Sequence, residues 1–386
     1  PLAHLQYKTI IPDGNYGAGP MIVWDTGGIR YLETSVEDGI ARAKIDFELD
    51  GFKLRGRFGL IHTGARKKNA AGAPAPEWLI VKKPDAHARE GGEITDELPR
   101  SVLSGLTVQE LMNKSEVTAE VTRRADAFGA TALTRSMTEL ESDPPMVCAL
   151  EGAPLRSADW LYELKLDGVR IIASKSDHRA SLRYRSGRVC SANYAEITRA
   201  IASLAPNEVV LDGEIVTFDE RGRPNFSRIG PRIRARAPED IRRARAEVPV
   251  LFLVFDILAL EGRDLRGLPL WQRKEILASL LKGQGYVRAL DHLVERGDAL
   301  FALCEREELE GVLAKRMQSS YVAGPRVTGH WVKLKRALEE DFVVVGFSRG
   351  KGPLQPRCPL AVGTYLGETL IYRRSVCSGL EPESIP

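Results

Sequence analysis

Hydrophobic and polar positions change rhythm along the 386-residue chain, and each change marks a boundary. Between residues 10 and 83, short apolar runs at 21–24, 44–49, 57–62 and 78–82 are separated by glycine, proline and aspartate, the punctuation of short strands joined by turns. Residues 1–84 therefore read as a β-rich domain. Residues 85–143 turn polar and interrupted, and weak helical spacing over 108–112 and 117–127 predicts a linker with one or two helices. A mixed α/β (α+β) domain follows over 144–338, where strongly apolar strands mix with helical stretches. From Asp341 a strand-rich stretch opens with Phe342-Val-Val-Val-Gly346 and continues at 360–365, so residues 339–386 form a fourth segment.

The length suffices for two or three domains, each burying its own core. With 55 basic and 52 acidic residues the chain is close to charge balance, so affinity for a polyanion has to come from a local patch. The densest candidate lies between Arg221 and Arg245, where nine arginines accompany only Glu239 and Asp240. Part of it, 240–245, has helical spacing, and a solvated helix face is the plain alternative to a phosphate-tracking surface. The five cysteines, Cys148, Cys190, Cys304, Cys358 and Cys377, show no paired spacing, which fits neither a zinc site nor a secreted disulfide framework. A reducing cytoplasm is the expected compartment, and no apolar run is long enough to span a membrane.

The stretch Glu163-Leu-Lys-Leu-Asp-Gly-Val-Arg170 places a lysine at the end of an apolar, strand-like run, followed by an acid, a glycine and an arginine. A free lysine has a pKa of roughly 10.4 and becomes a nucleophile only where burial or neighbouring cations favour the neutral amine. Trp160, Leu161, Tyr162, Leu164 and Leu166 supply apolar surroundings for Lys165, Gly168 allows close backbone approach, and Arg170 can grip a phosphate as a fork. Attack of such an amine on phosphorus gives a phosphoramidate. Taken alone, Lys-x-Asp-Gly is equally a strand ending in an Asp-Gly turn.

Further runs follow in order: Tyr184-Arg-Ser-Gly187, Leu211-Asp-Gly-Glu214, Phe255-Asp-Ile-Leu258, Glu310-Gly-Val-Leu-Ala-Lys315 and Trp331-Val-Lys-Leu-Lys335. Together with the lysine run they resemble the six nucleotidyltransferase motifs of ATP-dependent DNA ligases, specifically the ligase module of bacterial ligase D, over about residues 144–379. The resemblance implies an ATP-grasp-like nucleotidyltransferase (adenylation) domain in which Lys165 attacks the α-phosphate of ATP and carries AMP. Phe255 would stack on adenine, Glu163 would sit near the adenine edge, and Arg170 and Arg185 would bind the ribose and phosphate side. Glu214 and Glu310 could bind the ribose or hold Mg²⁺ or Mn²⁺ through oxygen ligands. Lys333 and Lys335 alternate on a strand, so both would face and neutralise the α-phosphate.

The implied substrate is nicked duplex DNA, sealed between 5′-phosphate and 3′-hydroxyl during non-homologous end joining. Arg232, Arg234, Arg236, Arg242 and Arg243 are the expected DNA-binding surface. A Ku-like end-binding partner, a monomeric state and a bacterial, nucleoid-associated location are implied in the same way. An RNA ligase or capping guanylyltransferase shares the lysine chemistry, and a catalytically impaired DNA-binding scaffold is the non-enzymatic alternative.

Two flanks carry resemblances of their own. Ile11-Pro-Asp-Gly-Asn-Tyr-Gly-Ala-Gly19, Val23-Trp24-Asp25 and residues 47–57 look like the later half of the ligase D phosphoesterase domain. That family trims 3′ ends with a metal held by histidines and an aspartate. Here His4 stands where the family has a catalytic tyrosine, and His4, His62 and His87 form no recognisable ligand cluster, so an incomplete domain without phosphoesterase activity is expected. Residues 341–379 look like the opening of the oligonucleotide-binding (OB) barrel that follows the catalytic domain in ligases, a fold of five strands. The family's last motif, a basic segment that helps orient pyrophosphate, is missing, so slow reaction with ATP is expected.

Overall fold

Alternation along Lys44–Gly51 turns Ile45 and Phe47 to one side, where they meet Phe58 of Arg55–His62 in a small apolar core. In the computed structural model these strands are the middle of a four-stranded antiparallel sheet, with Gly27–Tyr31 (β1), Lys44–Gly51 (β2), Arg55–His62 (β3) and Trp78–Lys82 (β4) in that order. The structure describes residues 10–15, 17–32, 35–64, 77–149, 152–324, 329–336, 341–347 and 360–376, together with the backbone of short strands at Lys67–Lys68 and Pro74–Ala75. His4, Cys358 and Cys377 lie outside the described residues. The chain divides into two compact units, Pro1–Lys335 and Arg336–Pro386.

Residues 21–24 are not the strand their composition suggests. They run beside residues 98–102 instead: the Val23 carbonyl accepts from the Val102 N–H at 3.1 Å and the Ser101 hydroxyl at 2.9 Å, and the Trp24 indole donates to the Leu98 carbonyl at 2.8 Å. Val23 packs on the large core of the unit, so its apolar surface is partly buried without sheet pairing.

The stretch read as a linker, 85–143, is likewise built into the first unit. It carries helices Val108–Met112 (α1), Lys114–Ala127 (α2) and Met137–Glu141 (α3), the first and third opened by capping boxes of Thr107 with Glu110 and Ser136 with Glu139. Leu103, Val121 and Ala125 join the large core, Leu140 joins a second one, and Thr131–Ala132 pairs onto the edge of the large sheet. Its polar composition concealed this because α2 buries only Val121 and Ala125, one narrow stripe of a solvated helix.

The centre of the unit is two sheets. The larger is antiparallel through Arg179–Tyr184, Val169–Ser176, Glu208–Val216 and Leu251–Leu260, and Val287–Ala289 adds to the last of these in parallel. The smaller has the order Leu293–Val294, Trp160–Leu164, Gly311–Arg316, Trp331–Lys335. Below the large sheet, Ile171, Leu211, Ile215, Val254 and Phe252 pack with helices Ala195–Ser203 (α4) and Leu270–Leu280 (α5). A second core of Ile172, Val210, Phe255 and Trp331 joins the two sheets, and each large side chain removed from water there contributes roughly 1.5–3 kcal/mol.

The second unit is a three-stranded antiparallel sheet of Val343–Phe347, Leu360–Leu366 and Thr369–Val376.

Candidate active site

The small sheet sorts its residues by face. Trp160, Tyr162, Val312, Ala314 and Val332 point down onto helix Gly297–Arg306 (α6), where they pack with Leu300 and Cys304. The alternate residues point up toward the large sheet, and the antiparallel register sets Glu163 opposite Leu313 and Leu313 opposite Lys333, with Gly311 opposite Lys335. Lys165, one residue past its strand, donates its N–H to the Gly311 carbonyl at 2.9 Å and so extends the same upper face. Gly311 has φ 142°, a conformation that other residues rarely adopt, and a side chain there would also strike the Leu334 carbonyl. At Gly168 an added Cβ would stand 2.5 Å from the Ile215 carbonyl, so glycine is needed where the lysine turn touches the large sheet.

Between the sheets lies a cavity of mixed lining: apolar Met146, Val147, Cys148, Leu164, Phe255, Leu290 and Leu313 together with charged Lys165, Arg170, Arg185, Glu214 and Lys333. Six of the predicted site residues therefore line one cavity, contributed by both sheets: Lys165, Arg170, Arg185, Glu214, Phe255 and Lys333.

Their partners differ from residue to residue. The Lys165 ammonium is 2.5 Å from Glu310 Oε2, and Lys335 is 3.1 Å from Glu310 Oε1, so this acid holds two lysines at once. Glu214 is half-buried, and its carboxyl is pushed up to about 7 by burial, opposed by Arg170 and Lys165 and reinforced by Asp212 and Glu310. Arg170 spends its fork internally: Nε and Nη2 donate to the two carboxylate oxygens of buried Asp212, each at 2.6 Å. Its guanidinium carbon also lies 4.6 Å from the Phe255 ring centroid. Phe255 is only 4% exposed, and the Lys315 ammonium is 4.3 Å from its centroid, so little of the ring is left to meet a ligand.

Glu163 departs furthest from expectation. It is fully buried and is not among the residues lining the cavity, with Oε1 2.7 Å from the Lys274 ammonium and Oε2 2.6 Å from the Lys315 ammonium. Burial works against its charge, but the two lysines outweigh that and hold the carboxyl below its usual range. The physical reason is the strand register, which turns Glu163 toward α5 and the end of Gly311–Arg316, where both cations originate.

The arginine-rich segment forms helices Phe226–Arg234 (α7) and Pro238–Glu247 (α8). Arg234, Arg236, Arg242 and Arg243 are exposed, Arg243 being 2.5 Å from Asp240. Arg232 is a correction: it is 1% exposed, paired with Glu196 at 2.6 Å, and donates to the carbonyls of Asn193 and Val248. It shares an inward face with Ile229, three residues earlier, and cannot touch a phosphate.

Several residues of the site escaped the sequence reading. Asp212 and Lys315 stand inside runs that were singled out, where a buried role could have been assigned, but Lys274 and Tyr321 belong to no motif and gave no signal. Asp256, the acid after Phe255, forms a fully buried two-pronged pair with Arg273 at 2.7 and 2.9 Å that ties α5 to the large sheet. Among the described residues no group of three or more histidines, cysteines or acids is arranged to hold a metal ion, and His62 instead packs edge-on against Trp78.

Comparison with known proteins places this geometry in a family. Residues 149–335 match the model of the ATP dependent DNA ligase domain, and residues 1–62 match that of the DNA ligase D 3′-phosphoesterase domain. The multifunctional non-homologous end joining protein LigD of Pseudomonas aeruginosa is 33% identical over 100% of this chain and 44% of its own length. The LigD of Mycolicibacterium smegmatis is 28% identical over 91% of this chain and 37% of its length, so the chain spans less than half of either relative. The crystal structure of the ligase domain from M. tuberculosis LigD is 30% identical, covers 64% of this chain and 76% of that one, and superposes with a TM-score of 0.44. By these sequence matches the chain belongs to the ATP-dependent DNA ligases of the bacterial ligase D type.

Proposed function

We propose that this chain carries the strand-sealing module of an end-joining repair protein, an ATP-dependent DNA ligase working through a lysyl-AMP at Lys165. The observation that carries the reading is that Lys165, Arg170, Arg185, Glu214 and Lys333 line a single cavity together with a set of apolar side chains, most of it within the part matched by the ligase domain model. Apolar side chains suit a base and cationic ones suit a phosphate chain.

Lys165 attacks the α-phosphorus of ATP, forming an N–P bond as pyrophosphate leaves with the electrons of the broken P–O bond. The amine must first give up a proton, and Glu310 Oε2, 2.5 Å from Nζ, is placed to take it. Lys333 and Arg185 line the same cavity and neutralise charge on the phosphates, while Lys335 balances Glu310. The 5′-phosphate of a nick then takes AMP from the lysine, and the 3′-hydroxyl displaces AMP to close the strand. Arg170, locked to Asp212, shapes the cavity rather than reaching freely for the ribose.

A divalent cation fits this site through Glu214. Glu214 lines the same cavity as the cations Lys165, Arg185 and Lys333, and Mg²⁺ or Mn²⁺ commonly binds one or two carboxylates together with substrate phosphates. Glu310 can join it only once the two lysines let go. Such an ion supplies charge neutralisation at the phosphates when bound.

Residues 1–84 are read as a phosphoesterase-like β domain, 144–338 as the adenylation domain and 339–386 as part of an OB-fold; the three strands of the second unit and the match over 1–62 support this. A Ku-like partner at broken ends goes with the end-joining role of the relatives named above. Sealing of a nicked duplex with 5′-phosphate and 3′-hydroxyl termini tests the reading. ATP-dependent closure of DNA nicks, with nicked RNA closed poorly, is expected; exclusive closure of RNA would contradict it.

A further inference from the structure

Two arginines stand where the N-terminal sheet meets the catalytic core. Arg55 opens β3, and Arg288 lies on Val287–Ala289, the strand that joins the large sheet in parallel. Both are fixed to one turn. Arg55 Nε donates to the Gly51 carbonyl at 3.0 Å, and the Arg288 guanidinium carbon is 5.7 Å from the ring centroid of the next residue, Phe52. Arg288 Nε donates to the Gly285 carbonyl at 2.9 Å, so each side chain is held by its Nε and keeps its Nη groups free of partners among the described residues. Phe52 in turn sits edge-on against Tyr286 at 4.8 Å, which ties the turn to the chain two residues before Arg288.

Their charge is left uncompensated. Asp50 faces Arg55 in the strand register without closing an ion pair, and Arg288 forms none among the described residues. Arg288 is half-buried; burial holds its guanidinium below the usual arginine range, the charge of Arg55 pushes it the same way, and no carboxylate offsets either. Buried arginines that serve the fold have acids at their Nη groups, Glu196 for Arg232 and Asp256 for Arg273. Two planar forks close together without a counter-charge suit a phosphate, whose oxygens accept from both. The positive charge also continues beyond the pair. The Tyr286 hydroxyl, raised chiefly by burial, lies in the field of Arg245 of α8 and Arg199 of α4, which oppose that rise. Cations in succession match a polyanion better than a single free phosphate.

We propose that Arg55 and Arg288 form a phosphate-binding site for the backbone of duplex DNA, which makes the N-terminal sheet part of the DNA-binding face. The inference rests on the DNA ligase reading above and adds a contact outside the cavity. The test measures binding of the full chain to nicked duplex across a salt series, by fluorescence anisotropy. Wild type is compared with Arg55→Gln/Arg288→Gln and with a charge-matched control, Arg30→Gln/Arg306→Gln, whose two arginines are exposed and already paired with Glu48 and Glu307. The site variant should bind more weakly, with a salt slope shallower by roughly 0.9 for each phosphate released, hence by roughly 1 to 2 for the pair. The control should keep the wild-type slope. Arg55 is exposed, so Arg55→Gln alone carries the test should the double variant not fold, with a slope change of roughly 0.9. A site-variant slope equal to that of the control overturns the proposal. Inorganic phosphate that, at matched ionic strength, raises the melting temperature of wild type above that of the site variant while the DNA slopes stay equal also overturns it, marking a site for a single free anion. Covalent labelling with ATP separates the two readings. Wild type that labels while the slopes stay equal keeps the ligase reading and loses this site, whereas wild type that neither labels nor binds nicked duplex loses both.

Discussion

At the scale of single residues, the site is a set of acids that decide how much positive charge the cavity keeps. Glu310 occupies Lys165 and Lys335 together, so nucleophilic amine appears only when that pairing loosens or its proton moves. Glu214 bears the opposite strain, an acid whose ionised form the fold disfavours. Its carboxyl rises from 4.5 to about 7, so ionisation costs nothing below the unfolded value, costs progressively more between the two, and costs the full amount above the folded one. Glu214→Gln should therefore stabilise the protein at pH 8, by up to about 3 kcal/mol, and leave it unchanged near pH 4. Urea denaturation across that range measures it, and a stability gain independent of pH would show that Glu214 is not held this way. That Lys165, Glu214 and Lys333 would meet in one cavity was legible, because the resemblance carried by the ordered motifs groups them. It was not legible at Glu163, because its two buried lysines come from a helix 111 residues further on and from a strand turned inward.

At the scale of elements, strands announced themselves and buried polar contacts did not. The runs at 44–49, 57–62 and 78–82 became strands, since a two-residue period leaves one apolar face to cover. Residues 21–24 and 85–143 bury isolated apolar side chains against other segments, which leaves no periodic trace. Among the arginines of α7 and α8, composition could not separate surface from interior, yet substitutions at the two should differ widely in cost. Arg232→Ala leaves buried Glu196 with only the longer 3.7 Å pairing to Arg245 and should cost about 3–5 kcal/mol of stability, with Arg242→Ala costing under about 0.5 kcal/mol. Equal effects in thermal melting would mean that α7 does not pack as described. Replacing Arg234, Arg236, Arg242 and Arg243 together by glutamine should weaken binding to nicked duplex and make it less sensitive to salt, the slope falling by roughly 0.9 for each phosphate no longer neutralised. A salt slope identical to wild type would remove this face from the DNA interface.

At the scale of the whole molecule, the first unit brings together segments with unrelated sequence character. The N-terminal sheet meets the catalytic core through Phe52, whose ring stacks edge-on against Tyr286 at 4.8 Å, and through residues 98–102 along Val23. Lys53 strengthens that junction, donating to the Leu98 and Arg100 carbonyls, and burial lowers its ammonium to about 8. The N-terminal sheet thereby belongs to the same compact unit as the cavity. No helix among the described residues is long and apolar enough to cross a membrane. All of the proposed chemistry depends on one covalent event. Incubation with α-labelled ATP and a divalent metal, then denaturing electrophoresis, detects it directly beside Lys165→Ala. A label that survives denaturation on the wild-type chain and vanishes from the variant is the predicted result. A label that persists in Lys165→Ala would place the nucleophile elsewhere and contradict the account.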